Sequence, residues 1–209
     1  MQIDFGLGIV IDAREPLAVS LSGGADSALV LYQIQRQCPA PITCYTMAVG
    51  DRQFNHAQVV VNLLQWFHSQ FGRNLRLITD FHATTEQGQA ALFQQAQRDL
   101  SRGLIASVFT GVTANPPHEL HEHFVYRDKA HSPHLRDPRI TRSLNPSRGW
   151  YQPYTNFNKQ QLVGVYRQLD LMESLWPLTR SCSGPGLGQC GECWSCEERQ
   201  WAQGLPPRQ

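Results

Sequence analysis

Apolar residues along the first half of the chain fall alternately into short runs and helical stripes. Residues 17–21 (LAVSL) form an apolar run too short for a helix, which reads as a buried strand. Residues 26–37 carry Ala28, Leu29, Leu31, Tyr32 and Ile34 on the apolar positions of a helix. The segment 42–49 (ITCYTMAV) is rich in β-formers, and 55–69 places Val59, Val60, Leu63, Leu64 and Phe67 at i, i+3, i+4 spacing. Residues 74–80 (NLRLITD) alternate as a strand. Residues 85–101 read as a third helix, with Glu86 in the first turn, where a carboxylate favours the dipole. Residues 104–111 (LIASVFTG) complete the series as a fourth strand. This βαβαβαβ order with short connectors predicts an α/β fold, a Rossmann-like parallel sheet with helices on both faces. Ligands of such sheets bind at the carboxyl ends of the strands, near the switch in strand order.

The pattern breaks over 112–157, a stretch rich in Pro, His and Arg. An irregular connection of that length reads as a functional loop or lid. His118-Glu119-Leu120-His121-Glu122-His123 lacks the HExxH spacing and reads as a solvated or substrate-facing loop. Arg127, Lys129, Arg136, Arg139, Arg142 and Arg148, partly offset by Asp128 and Asp137, read as a solvated loop or as a contact for an anion. Trp150-Tyr151-Gln152-Pro153-Tyr154 either stacks on a flat base or anchors the loop to the domain. Helical periodicity returns over 158–175, Trp176-Pro177 closes it, and a short helix is expected over 194–201. The chain therefore divides into an α/β unit at 1–175 and a cysteine-bearing segment at 176–209, with a frayed tail.

Composition narrows the function classes. Of 209 residues, 41% are hydrophobic and 17% charged, so the chain can bury a core. A net charge of +1 gives no global case for nucleic-acid binding. The first residues lack the basic flank and apolar core of a signal peptide, and no run approaches the roughly 18 apolar residues of a membrane span. A soluble, cytoplasmic protein is expected. Cys38 and Cys44 read as ordinary thiols.

The turn Ser22-Gly23-Gly24-Ala25-Asp26-Ser27 joins the first predicted strand to the first helix. Paired glycines tolerate positive φ and let a ligand approach the backbone. Helix N-terminal amides carry the positive end of the dipole, and the Ser22 and Ser27 hydroxyls add donors. This is an anion cradle suited to phosphate or pyrophosphate. It is neither a Walker A loop, which needs a lysine after its last glycine, nor GxGxxG. The bland alternative is a glycine-rich connector with a capping Ser or Asp.

Cys182, Cys190, Cys193 and Cys196 supply four soft donors within one short loop. The spacing suits a closed, structural four-thiolate site for Zn2+, one per chain. An iron–sulfur cluster is the rival occupant.

Ser-Gly-Gly-x-Asp-Ser resembles the PP-loop of the ATP pyrophosphatase family, in which ATP is cleaved between the α- and β-phosphates. Together with Thr179-Arg180-Ser181-Cys182, Cys190-Gly191-Glu192-Cys193-Trp194-Ser195-Cys196 and Arg199, the turn is similar to the 7-cyano-7-deazaguanine synthase family. Asn158-Lys159-Gln160-Gln161-Leu162-Val163 matches that family's late lysine, Thr110-Gly111 its Thr-Gly, and Gly50-Asp51-Arg52, loosely, its Gly-Gln-Arg-His element. The resemblance implies a PP-loop/HUP-type fold with a C-terminal zinc-binding segment. It also implies an ATP-dependent ligase that adenylates the carboxylate of 7-carboxy-7-deazaguanine and captures it with ammonia, with a second ATP driving dehydration to the nitrile. Ser22, Gly23, Gly24, Asp26 and Ser27 would hold the phosphates, Asp26 would sit beside Mg2+, and Lys159 would stabilise charge on the α-phosphate. A homodimer is expected on the same ground. The chain departs from the family over 112–157, where the Tyr-Pro-Asp-Cys-Arg type segment of the deazapurine site is missing. A relative making an amide on another carboxylate, a PP-loop enzyme adenylating a tRNA base, and a nucleotide-binding module without catalysis are the alternatives.

Overall fold

The structure, a computed structural model, describes residues 1–50, 55–73, 75–117, 148–182, 184 and 188–205. Its centre is a five-stranded, all-parallel sheet. The strands are β3 (Leu17–Ser20), β4 (Ile42–Val49), β5 (Leu75–His82), β6 (Ser107–Thr110) and β7 (Trp150–Tyr151), in the order β5-β4-β3-β6-β7. A small antiparallel hairpin, β1 (Gln2–Asp4) with β2 (Val10–Asp12), precedes it.

Alternating side chains in β3 build two cores. Leu17 and Val19 face one side, where they pack with α1 (Ala25–Gln37), α2 (Asn55–Phe71) and α4 (Lys159–Gln168). Ala18 faces the other and packs with Ala96, Leu92 and Leu100 of α3 (Thr85–Ser101). Tyr45 of β4 lies in that second core and donates from its hydroxyl to Asp99 Oδ2 at 2.6 Å. Helices thus cover both faces, as the alternation predicts. The chain runs from β3 outward to β4 and β5, then crosses back to place β6 on the far side of β3. That reversal puts the switch point between the carboxyl ends of β3 and β6.

Three expectations need correction. The strand expected over 104–111 begins only at Ser107, because Leu104 N–H is used to close α3, donating to Asp99 O at 2.9 Å. The helix expected over 158–175 stops at Gln168. Asp170 takes φ +55, its N–H bonds Arg167 O, and Leu171 N–H bonds Tyr166 O, a left-handed helix end that reverses the chain. Within the stretch taken as irregular, Trp150 and Tyr151 form the fifth strand, paired with Val108 and Phe109. The aromatic run there anchors the chain: Tyr151 stacks on Phe109 at 5.1 Å, and buried Tyr154 donates to Phe5 O at 2.9 Å. The His118–His123 cluster, Asp51-Arg52, most of the basic run and the last four residues lie outside the described residues. Cys38 and Cys44 are both buried, and burial pushes the Cys44 thiol up to about 12. Among the described residues, no helix is long and apolar enough to cross a membrane.

Candidate functional site

The turn after β3 falls at the switch point. Gly23 holds φ +82, and Gly24 is the N-cap of α1 without a side-chain cap bond. The turn is braced from within. Ser22 and Ser27 hydroxyls lie 3.1 Å apart, Ser22 N–H donates to Ser27 Oγ, and Ser27 Oγ–H donates to Gly24 O at 3.2 Å. Gly111, at the end of β6, packs directly against the start of α1. A Cβ there would meet Ser27 N at 2.2 Å and Asp26 C at 2.5 Å.

Asp26, in the first turn of α1, gathers groups from distant parts of the chain. Lys159 Nζ lies 3.0 Å from Asp26 Oδ1, and Thr113 Oγ1 donates to Asp26 Oδ2 at 3.2 Å. Lys159 is the first residue of α4, presented by a capping box in which Asn158 accepts from Gln161 N–H while the Gln161 side chain accepts from Asn158 N–H. A second carboxylate, Glu198 Oε2, lies 3.4 Å from the same ammonium. Glu198 belongs to α5 (Trp194–Ala202), in the C-terminal segment.

That segment folds back over the turn. Arg180 N–H donates to Gly23 O at 2.8 Å. The Arg180 guanidinium reaches across the cysteine loop to Gly188 O and Gly184 O. Arg199 lies buried 3.9 Å over the Trp176 ring and donates to Thr179 Oγ1 and Trp176 O; burial lowers its pKa to about 10. Between turn and segment opens a cleft of about 240 Å³, lined by Ser22, Gly24, Asp26, Lys159, Ser181 and Glu198 among others. It adjoins an apolar slot of about 210 Å³ under α3, bounded by Tyr45, Leu92, Phe93, Val108 and Trp150. Ser22, Met47 and Gln89 line both.

The four cysteine sulfurs lie within 4.8 Å of one another. Cys190 to Cys196 is 3.8 Å and Cys193 to Cys182 is 3.9 Å. Metal–sulfur bonds of about 2.3 Å in a tetrahedron set sulfurs ~3.8 Å apart, so the donor set fits a single metal ion. In a [4Fe-4S] cluster each thiolate binds a different iron, which would spread the sulfurs farther. Gly184 and Cys190 N–H groups point at Cys182 Sγ, and Cys193 N–H at Cys190 Sγ, as suits thiolates. As thiols they crowd one another: the bond to Cys193 and burial drive Cys196 far up, and burial raises Cys190. A bound cation relieves that crowding by taking the thiolates.

The fold brings Ser22, Gly23, Gly24, Asp26, Ser27 and Lys159 to one place and the four cysteines to a second one beside it. Trp194 and Ser195, between two of the cysteines, line the cleft itself. Thr113, Arg180 and Glu198 escaped sequence reasoning as Asp26, turn and Lys159 contacts. Only Arg180 carried any signal, as part of the Thr179-Arg180-Ser181-Cys182 string.

Fold and site together define a parallel α/β protein with a glycine-containing turn at its switch point and, at its edge, four cysteines that could hold a metal ion. Residues 10–105, which contain the whole turn, match the family model of asparagine synthase. No curated protein matches the chain. NMN synthetase from Francisella tularensis is similar at a TM-score of 0.48 and 14% identity, covering 91% of this chain and 77% of that one. The U34-tRNA thiolase NcsA from Methanococcus maripaludis, with its [4Fe-4S] cluster, is similar at 0.48 and 10% identity. That likeness covers 90% of this chain, which spans 65% of the thiolase's length.

Proposed function

We propose that the protein is an ATP-dependent carbon–nitrogen ligase that adenylates a carboxylate and captures it with ammonia. The observation that carries this reading is the convergence of Asp26 and Lys159, 3.0 Å apart, on the braced turn at the start of α1. The α1 amides and the Ser22 hydroxyl would receive the β- and γ-phosphates, and Lys159 would face the α-phosphate, where charge grows as the adenylate forms. Mg2+ bound with ATP would neutralise charge on the leaving pyrophosphate, with Asp26 beside it. The apolar slot suits the flat ring of adenine. Thr110 Oγ1, buried at its edge without a hydrogen-bond partner among the described residues, is available to a heteroatom of that ring. The match of residues 10–105 to the asparagine synthase model supports a synthetase.

Cys182, Cys190, Cys193 and Cys196 would hold Zn2+. A closed site of four thiolates leaves no open coordination position, so this ion supplies structure rather than chemistry. The substrate favoured by the paired turn and cysteine motifs is 7-carboxy-7-deazaguanine, and the product 7-cyano-7-deazaguanine. The test is release of AMP and pyrophosphate from ATP with ammonia and that carboxylate. Release with tRNA alone would move the reading to a tRNA-modifying enzyme. Release with another carboxylate would keep the chemistry and change the substrate. ATP binding without turnover on any of them would leave a nucleotide-binding module.

A further inference from the structure

The chain holds two lysines, Lys129 and Lys159, against sixteen arginines. Lys159 is placed where a cation is disfavoured. It is the first residue of α4, at the positive end of that helix, and its side chain is 5% exposed. Two carboxylates hold it there, and they differ. Asp26, at 3.0 Å, belongs to the phosphate turn and is 14% exposed. Glu198, at 3.4 Å, belongs to α5 and is 2% exposed. α5 is itself anchored at the cysteine cluster, since Cys193 is its N-cap and Cys196 sits in its first turn.

We infer that Glu198 is a positioning residue for Lys159, the fixed anchor of which Asp26 is the exchangeable counterpart. The ammonium has three donors. If Asp26 alone held Lys159, recruiting Asp26 to Mg2+ would release the lysine into the cleft. With Glu198 behind it, Lys159 keeps its place and its charge partner while Asp26 turns to the incoming nucleotide. Its remaining donors then face the phosphate. The cysteine site becomes part of the same device: the metal sets the start of α5, α5 sets Glu198, and Glu198 sets Lys159. The catalytic half of this inference rests on the ligase reading above; the placement of Lys159 does not.

The experiment separates the two. Labelling with 15N-lysine gives two ammonium signals. The Lys159 signal is expected to persist where an exposed ammonium exchanges away. E198Q, which keeps the shape and removes the charge, should shift and weaken it, while D26N should leave it protected. A Lys159 signal indifferent to E198Q overturns the inference, whatever the enzyme turns over. In the kinetic arm, E198Q should lower kcat for AMP release by roughly 10- to 100-fold with the ATP KM within about twofold, the signature of a misplaced group. E198D, charged but shorter, should recover more of kcat than E198Q; a residue serving only packing would reverse that order. In a K159Q background E198Q should add no further loss, and an equal further loss there also overturns the inference. Metal content and thermal midpoint, measured on each variant, identify any that fails to fold, and E198D then carries the comparison. A wild-type protein that turns over no carboxylate defeats the ligase reading alone, and the lysine signal still decides the placement.

Discussion

The turn after β3 is braced by its own residues, by α1 and by the end of the neighbouring strand β6. Gly24 caps α1, Ser22 and Ser27 bond each other, and Gly111 presses against the helix backbone. Across the cleft, the cysteine segment exposes residues 188–190 and has no strand of its own among the described residues. Its order depends on four sulfurs, two buried aromatic residues of α5 and the Arg199–Trp176 contact. One side of the site is thus made by close packing and should form without any ligand. The other is made by donors that become thiolates, and gain their full holding power, only with a cation. The two sides should therefore fail separately.

The largest effect is expected from the metal side. Structural zinc contributes on the order of 10–16 kcal/mol of apparent binding energy to small sites, so Cys193→Ser should empty the site and disorder the segment. Metal analysis should fall from one ion per chain to near zero. Hydrogen exchange should show α5 losing protection while β3 and α1 keep theirs. Loss of protection in α1 as well would mean that the turn leans on the metal, and the comparison would break. A brown, iron-containing preparation would replace zinc as the occupant.

Next comes the chemistry on the packed side. Asp26→Asn keeps the shape, can still accept from Thr113, and leaves Lys159 with Glu198. AMP release should fall by roughly 10²- to 10³-fold, about 3–4 kcal/mol of transition-state stabilisation, with metal content unchanged. Normal turnover would remove Asp26 from the mechanism.

Gly111→Ala and Gly88→Ala test how rigid that packing is. The new Cβ at 111 meets backbone atoms of α1 at 2.2 and 2.5 Å, which cannot yield without moving the turn. A loss of about 3 kcal/mol is expected, or a thermal midpoint lower by roughly 6–12 °C. At 88 the nearest atom is Met47 Sδ at 2.6 Å, the end of a flexible side chain, so about 1 kcal/mol is expected. Equal losses at the two positions would mean that α1 can slide on β6.

The packed side is also the side that sequence periodicity could read. The α1, α2 and α3 stripes and the runs of β3, β4 and β5 repeat their periods over enough residues to be seen. β1, β2 and β7 span two or three residues each, and only their pairing makes them strands. The end of α4 was hidden because apolar residues continue at helical spacing through Leu169, while the reversal depends on the backbone of Asp170. The site divides likewise. The turn and the cysteines are contiguous motifs, but nothing local ties residue 198 to residue 159. Glu198 sits in a helix between Trp194 and Trp201, and only the packing of α5 on α4 reveals what it faces.

The smallest effect concerns how Lys159 is presented. The reciprocal bonds between Asn158 and Gln161 fix the first turn of α4, the turn that starts with Lys159. Asn158→Ala removes one of them, an expected loss of about 1 kcal/mol. For a chain of this size that lowers the midpoint by roughly 2–4 °C. If Glu198 and Asp26 already hold the ammonium from both sides, fraying of this cap should change kcat by no more than about threefold, because the side chain is fixed at its far end. A fall in kcat as large as that of E198Q would place the control of Lys159 in the backbone of α4. The metal side would then have no hold on the chemistry.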